Sequence, residues 1–327
     1  MPDSRLNGAE RPLQALFSFG KRISLIFLFF LALTLTGDQD RDQPNRTPGA
    51  SMSVPVRFIP VTVEGGSFPG ARLWRMESSE PRFGGLSGLA VAGNRLLAVS
   101  DSGTVISLPR PGSSGKARFL DLPEGPGSPY WKKHRDAETL ARDPKGRGWW
   151  VGFEFHHSLY LYDPTFSRAV RRVAFADERW RPNSSLEALL PVGQGLLAVP
   201  EGGGELLRLE DGQVATRPLE PADGAPADAV RLPDGRMLVL LRTVRPWGIR
   251  NDLAELRRDR EGRYRLQTLG RLPLGAFDNA EGIAAEPRPD GSTRLWIVTD
   301  NDFSDYRATM LMSMDISAPE TASSRRP

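Results

Sequence analysis

The chain has 327 residues, with 43 basic and 40 acidic side chains, no cysteine, and 33 glycines beside 28 prolines. The lack of cysteine excludes disulfides, thiolate-held zinc, iron–sulfur clusters, a thiol nucleophile and a cysteine-linked lipid anchor. The four bases and two acids of residues 1–37 leave 39 bases against 38 acids in the rest of the chain, so there is no concentrated basic stripe and no nucleic-acid partner is expected.

Residues 23–36, ISLIFLFFLALTLT, form an uncharged run behind Lys21 and Arg22. Fourteen residues fall short of the roughly 20 needed to span a bilayer and suit a signal-peptide core, with an uncleaved anchor as the alternative. Either reading of residues 1–37 exports the remainder to the periplasm or the exterior and leaves no other membrane contact. Residues 38–53 are polar, with Pro and Gly, and read as a flexible linker. Residues 54–327 form the folded domain, expected to act as a monomer.

From residue 84 onward one pattern returns. A short apolar strand, a Gly-containing turn, a more hydrophobic strand and a polar residue follow one another. The copies are LSGLAVAGNRLLAVSD (86–101), AETLARDPKGRGWWVGFE (137–154), LEALLPVGQGLLAVPE (186–201), DAVRLPDGRMLVLLR (228–242) and AEGIAAEPRPDGSTRLWIVTDN (280–301). Aligned on this pattern, Ser87, Glu138, Glu187, Ala229 and Glu281 are equivalent, at separations of 51, 49, 42 and 52 residues. Such a period with several short strands predicts propeller blades. Each copy continues into a third strand (TVISL, SLYLYD, ELLRLE, LAELRR, TMLMSMDIS), and four add a fourth (ARFLDL, AVRRVAFA, QVATRPL, RYRLQTLG). The fifth copy lacks one, and VRFIPVTVE (56–64) or ARLWRME (71–77) would fill the gap. The prediction is an all-β, five-bladed β-propeller of four-stranded sheets closed by an N-terminal strand. Six blades would follow if residues 54–83 formed more than that strand.

The first two strands of a blade form an antiparallel hairpin, so the start of one and the end of the next share an end of the channel. This places Ser87 near Asp101, Glu138 near Glu154, Glu187 near Glu201, Asp228 near Arg242, and Glu281 near Asp300 and Asn301. The expected mouth is a ring of carboxylates, whose mutual repulsion raises their pKa values or demands a cation. Oxygen ligands of this kind suit Ca²⁺ or another hard divalent ion. Lys132, Lys133, Arg135, Arg245 and Arg307 lie close by in sequence and would suit an anionic substrate. The alternative role for any one acid is to latch backbone amides of the neighbouring blade. Asp143, Asp163 and Asp234 sit in turn sequences with no call for chemistry.

All three histidines, His134, His156 and His157, belong to the second repeat. Adjacent His156 and His157 on a strand would point to opposite faces, so one His as a general acid or substrate contact is preferred over a zinc site. Ser87 in GGLSG lacks the glycine placement and the helix of a nucleophile elbow, and reads as a tight turn. Trp149 and Trp150 should face opposite sides of their sheet. Trp131 and Trp247 fall in channel-side loops.

The segments GGLSGLA, SDSG, RDAETLA, FEFHHSLYLYD, SLEAL, LPDGRMLVLLR and DNAEGIA with TDNDFS resemble the bacterial "esterase-like activity of phytase" domain family, from about Phe83 to Ile316. Matching positions include Ser87, Asp101, Arg135, Asp136, Glu138, Glu154, Glu187, Glu201, Arg242, Glu281, Asp300, Asn301 and Arg307. The resemblance implies hydrolysis of an ester or phosphoester by an exported protein. Members often carry Asn-His-Arg after the Phe-Glu pair; here Phe155, His156, His157 and Ser158 follow, so a cation is missing at that point.

The leading expectation is a metal-dependent hydrolase of a small anionic or ester substrate. Glu138, Glu187, Glu281, Glu201 and Asn301 would hold Ca²⁺ or another divalent metal. Asp101, Glu154 and Asp300 would serve as ligand or general base, and Arg135, Arg242 and Arg307 would stabilise developing negative charge. The alternatives are a non-catalytic ligand- or protein-binding propeller and a lactonase-type calcium enzyme.

Overall fold

The computed structural model describes residues 44–45, 48–62, 64–175 and 186–319. The expected leader at 1–37 and most of the linker lie outside the described residues. Among the described residues no helix is long and apolar enough to cross a membrane.

Three N-terminal strands come first: β1 (Met52–Val54), β2 (Val56–Val61) and β3 (Arg72–Ser78). Four complete blades follow. They are β4 (Leu86–Ala92), β5 (Arg95–Ser100), β6 (Thr104–Leu108), β7 (Ala117–Asp121); β8 (Ala137–Arg142), β9 (Trp149–Phe153), β10 (Ser158–Tyr162), β11 (Ala169–Ala174); β12 (Leu186–Val192), β13 (Gly195–Pro200), β14 (Glu205–Glu210), β15 (Gln213–Pro218); and β16 (Ala225–Arg231), β17 (Met237–Arg245), β18 (Gly248–Arg258), β19 (Tyr264–Arg271). The fifth blade supplies β20 (Asn279–Pro287), β21 (Thr293–Asp300) and β22 (Thr309–Ile316). Every sheet is antiparallel, and the inner strands β4, β8, β12, β16 and β20 neighbour one another around a closed ring.

Both N-terminal candidates take part in closure. β3 pairs with β22 as the fourth strand of the fifth blade, β2 adds outside it, and β1 extends the first blade beyond β7. The blades number five, two of them widened to five strands.

The continuous apolar reading of the second strands has a simple cause. Alternate residues of one strand face opposite blades, and both faces are buried. Leu96 and Ala98 of β5 pack toward the fifth blade, while Leu97 and Val99 pack toward the second. Trp149 and Trp150 divide in the same way, toward the first and third blades. Five such apolar clusters, one per blade interface, hold the ring.

Each inner strand also breaks its ladder near its start. The register shifts across Ser87, Glu138, Glu187, Ala227 and Glu281, so each is the extra residue of a β-bulge. A bulge leaves its residue unpaired and re-aims its side chain. This corrects the sequence alignment in the fourth blade, where Ala227 and not Ala229 is the equivalent position. It also corrects the expected pairing of Asp228 with Arg242. Ala225 opposes Arg242, and Asp228 opposes Leu240.

Candidate functional site

Among the described residues, Asp136, Glu138 and Glu154 bring one oxygen each within 4.8 Å of one another. The hairpin of the second blade makes this trio. Glu138 is the bulge residue of β8, Glu154 follows β9, and the Glu154 N–H donates to the Asp136 carbonyl at 2.9 Å. Asp136 is buried and the two glutamates are half-buried. Sequence reasoning matched Asp136 to the resembled family but gave it no role.

Around the trio stand Glu187 and Glu281, from the bulges of the third and fifth blades, and Glu201, which follows β13. They form one electrostatic group. Desolvation raises the Glu138 pKa well above the usual range, and Asp136, Glu154, Glu187 and Glu281 add to it. Glu154 is pushed up to about 9 by desolvation, with Asp136, Glu201 and Glu281 adding and Lys132 opposing. Burial likewise raises Glu187 and Glu281, each opposed by Arg242. Asp300 is raised well above its usual value by burial, then by Glu281, Asp302 and Asp101.

Among the described residues, two cations answer these acids. The Arg242 guanidinium pairs with Glu281, lies 3.5 Å from Glu201 and donates to Asn279 Oδ1 at 3.3 Å. Burial opposes its charge, but Glu281, Glu187 and Glu201 outweigh burial and raise its pKa. On the other side, Lys132 Nζ lies 3.0 Å from both Asp136 oxygens and 3.4 Å from Asp101 Oδ2. Lys132 begins a single 3-10 turn, Lys132–His134, in the connection between β7 and β8.

Asp101 stands at the end of β5. Burial pushes its pKa up to about 7, opposed by Lys132 and assisted by Asp136 and Asp302. Its Oδ1 is buried without a hydrogen-bond partner. This explains the paired glycines before Ser87. A Cβ on Gly85 would lie 2.2 Å from Asp101 Oδ1, and one on Gly84 2.7 Å from Asn301 Oδ1. Ser87 itself is buried and bonds the Gly85 carbonyl at 3.4 Å, in keeping with a turn.

Other expected site residues are engaged elsewhere. Arg135 is buried and donates to the carbonyls of Pro126, Gly127 and His134, so its head is held by backbone within a loop. Arg307 pairs with Asp302 at the rim. Asn301 Oδ1 accepts from the N–H groups of Gly85 (2.9 Å) and Phe303 (3.3 Å), which ties the fifth blade to the first. Asp300 accepts from the Asp302 N–H at 2.7 Å. Asp228 is a latch: it accepts from Ala229 N (2.8 Å) and from Ile283 N of the next blade (2.7 Å). Burial nonetheless raises its pKa well above normal.

His156 and His157 lie in the turn after β9 and not on a strand, with His157 at φ 38°. His134 accepts from Ser128 N at Nδ1 (2.9 Å) and packs against His156 at 5.1 Å between ring centroids. Desolvation and the neighbouring His134, Arg172, His157 and Lys133 hold His156 below the usual imidazole value. Asp143 accepts from Lys145 N and Arg147 Nε within its turn, as that sequence predicts, and from Trp150 Nε1 of β9. Trp131 and Trp247 are exposed in connections on the mouth side.

A family model described as "Phytase-like: Esterase-like activity of phytase" matches residues 81–303. The chain belongs to this family. The match spans β4–β19 of the first four blades and β20 and β21 of the fifth. A search of curated protein sequences found no match. Among solved structures, the phytase-like chain is similar to Myxococcus xanthus glutaminyl cyclase, with 13% identity over 80% of this chain and 100% of that one and a TM-score of 0.46. It is also similar to a streptogramin B lyase structure, at 12% identity, 82% and 74% coverage and a TM-score of 0.41. A chain of the mitotic checkpoint complex matches at 14% identity, 84% and 77% coverage and a TM-score of 0.38.

Proposed function

We propose that this phytase-like propeller is an exported, metal-dependent hydrolase of esters or phosphoesters, with Ca²⁺ held at the mouth. The observation that carries this reading is the Asp136, Glu138 and Glu154 trio, backed by Glu187, Glu201 and Glu281. Among the described residues, two cations, Lys132 and Arg242, stand against these six carboxylates and Asp101. An unpaired excess of desolvated carboxylates calls for a hard cation or for protonation. The orphaned Asp101 Oδ1 fits the same need. Asp136, Glu138 and Glu154 would hold the ion. When bound, it would supply Lewis acidity to an ester oxygen and acidify a water.

The chain's own groups suit proton transfer. Glu154, pushed up to about 9 by burial in the metal-free protein, would give up its proton as the cation enters and then serve as a ligand. Asp101, pushed up to about 7 by burial, would take one. Added positive charge would lower both values. The arginines bear on substrate charge. Arg242 and Arg307 each rest on carboxylates and Arg135 on backbone carbonyls, so these three leave no guanidinium free for a phosphate. That favours an ester of low charge over a polyanion. Export is supported by the charge-flanked run at 23–36.

The test is turnover of nitrophenyl carboxylesters, lactones, phosphomonoesters and phytate by the purified protein, with Ca²⁺ or chelator. Calcium-dependent turnover of any class supports the reading. No turnover of any of them would leave a ligand-binding propeller.

A further inference from the structure

The trio that would hold a metal is already claimed by a side chain. Lys132 Nζ sits 3.0 Å from each oxygen of Asp136, so it is paired with both oxygens of one candidate ligand. It also lies 3.4 Å from Asp101 Oδ2, and so joins the first blade to the second. Its side chain is one-quarter exposed, with a route to solvent. Its backbone belongs to a three-residue turn in a loop and not to a sheet ladder. The exposed Tyr130 and Trp131 directly precede it. Arg242, on the opposite side, stands within the strand β17 and is braced by Asn279 and Glu281.

We propose that Lys132 is a tethered counter-ion that stands in for the metal at the trio and must give up Asp136 when a divalent cation enters. This rests on the reading of the mouth as a metal site. The ammonium has one charge and needs hydrogen-bond geometry; a divalent ion brings two charges to the same oxygens. A monovalent ion gains nothing over the resident ammonium, so Na⁺ or K⁺ should not enter. The site is thereby kept folded when no metal is bound, and metal affinity is set below what the bare carboxylates would give. The connection carrying Lys132 would shift on metal entry and release the ammonium toward the substrate side of the mouth.

Calorimetric titration of Ca²⁺ into the full chain tests this, with Lys132→Met and the polar, uncharged Lys132→Gln as two independent variants. Both should bind Ca²⁺ at least about tenfold more tightly than wild type. Their metal-free melting temperatures should fall and recover with Ca²⁺. Wild-type affinity, or weaker, in the folded variants would overturn the counter-ion role while leaving the metal reading intact. No binding by wild type or either variant would remove the metal reading and this inference with it. Binding by the variants alone would show the ammonium to be the resident occupant.

Discussion

Asp228 gives the sharpest test of how the ring is held. Its carboxylate is 1% exposed and accepts from Ala229 N and from Ile283 N in the next blade. The Leu89 N–H of the first blade also favours its charged form. Asp228→Ala would strand two of these donors outright, at about 1–3 kcal/mol for each buried unsatisfied group. Against this, the variant relieves the burial of a carboxylate whose raised pKa shows that burial to be unfavourable. The net loss should therefore fall near the lower half of the range, about 3 kcal/mol. For a domain of this size that is a fall in melting temperature of roughly 6–9 °C. Asp228→Asn should not rescue it, because one accepting oxygen becomes an NH₂ facing an N–H. Urea unfolding followed by circular dichroism gives the difference. A loss of less than about 1 kcal/mol for Asp228→Ala would refute the latch.

Other expectations concern the mouth. Glu138→Gln and Glu154→Gln should each weaken Ca²⁺ binding by about tenfold or more, with the metal-free fold unharmed because one repelling carboxylate is gone; calorimetry and melting curves check both halves. The raised pKa values of Asp101 and Glu154 mean that the folded protein holds protons the unfolded chain has lost. Metal-free stability should thus be greatest near pH 4, decline as pH rises toward about 9, and show a flatter profile with Ca²⁺, as melting curves across pH would reveal. Arg135→Met should lower the melting temperature by several degrees through the lost carbonyl bonds, with KM for a turned-over substrate unchanged; a large rise in KM would return Arg135 to the substrate.

Much of this architecture was legible from apolar runs alone. Strands buried on both faces, such as RLLAVS and GLLAVP, read as continuous hydrophobic segments bounded by glycine turns, and their recurrence sets the blade number. Closure by VRFIPVTVE or ARLWRME was legible because the fifth copy lacked a partner. The bulges were not. Apolar pattern aligns strands by their paired residues, and an extra unpaired residue leaves no mark in it. In the fourth blade this put Ala229 where Ala227 stands, and made Asp228 look like a channel acid. With side chains alternating at period 2, a one-residue difference separates a mouth position from a latch. Glu138, Glu187 and Glu281 were found because the pattern repeats there. The directions of Arg135, Arg307 and Lys132 depend on irregular connections, where sequence carries no period. The two histidines were placed on a strand because FEFHHSLYLY has no glycine to mark the turn that the structure makes at Glu154–His157.

The seam between β3 and β22 governs when the molecule can be finished. Met76 pairs with Thr309 and Arg72 with Ser313, joining the first and last parts of the domain. In a chain made from its N-terminus β3 can pair with β2, but its other edge stays open until β22 exists. Until then β3 and β22 would each lack a neighbour, and the inner face of β4 would lack the fifth blade. Closing so long a loop adds little to the final equilibrium cost, but it delays the step at which the last edges disappear. A C-terminal truncation before Thr309 would make that delay permanent, with two open sheet edges on the same molecule ready to pair with another copy.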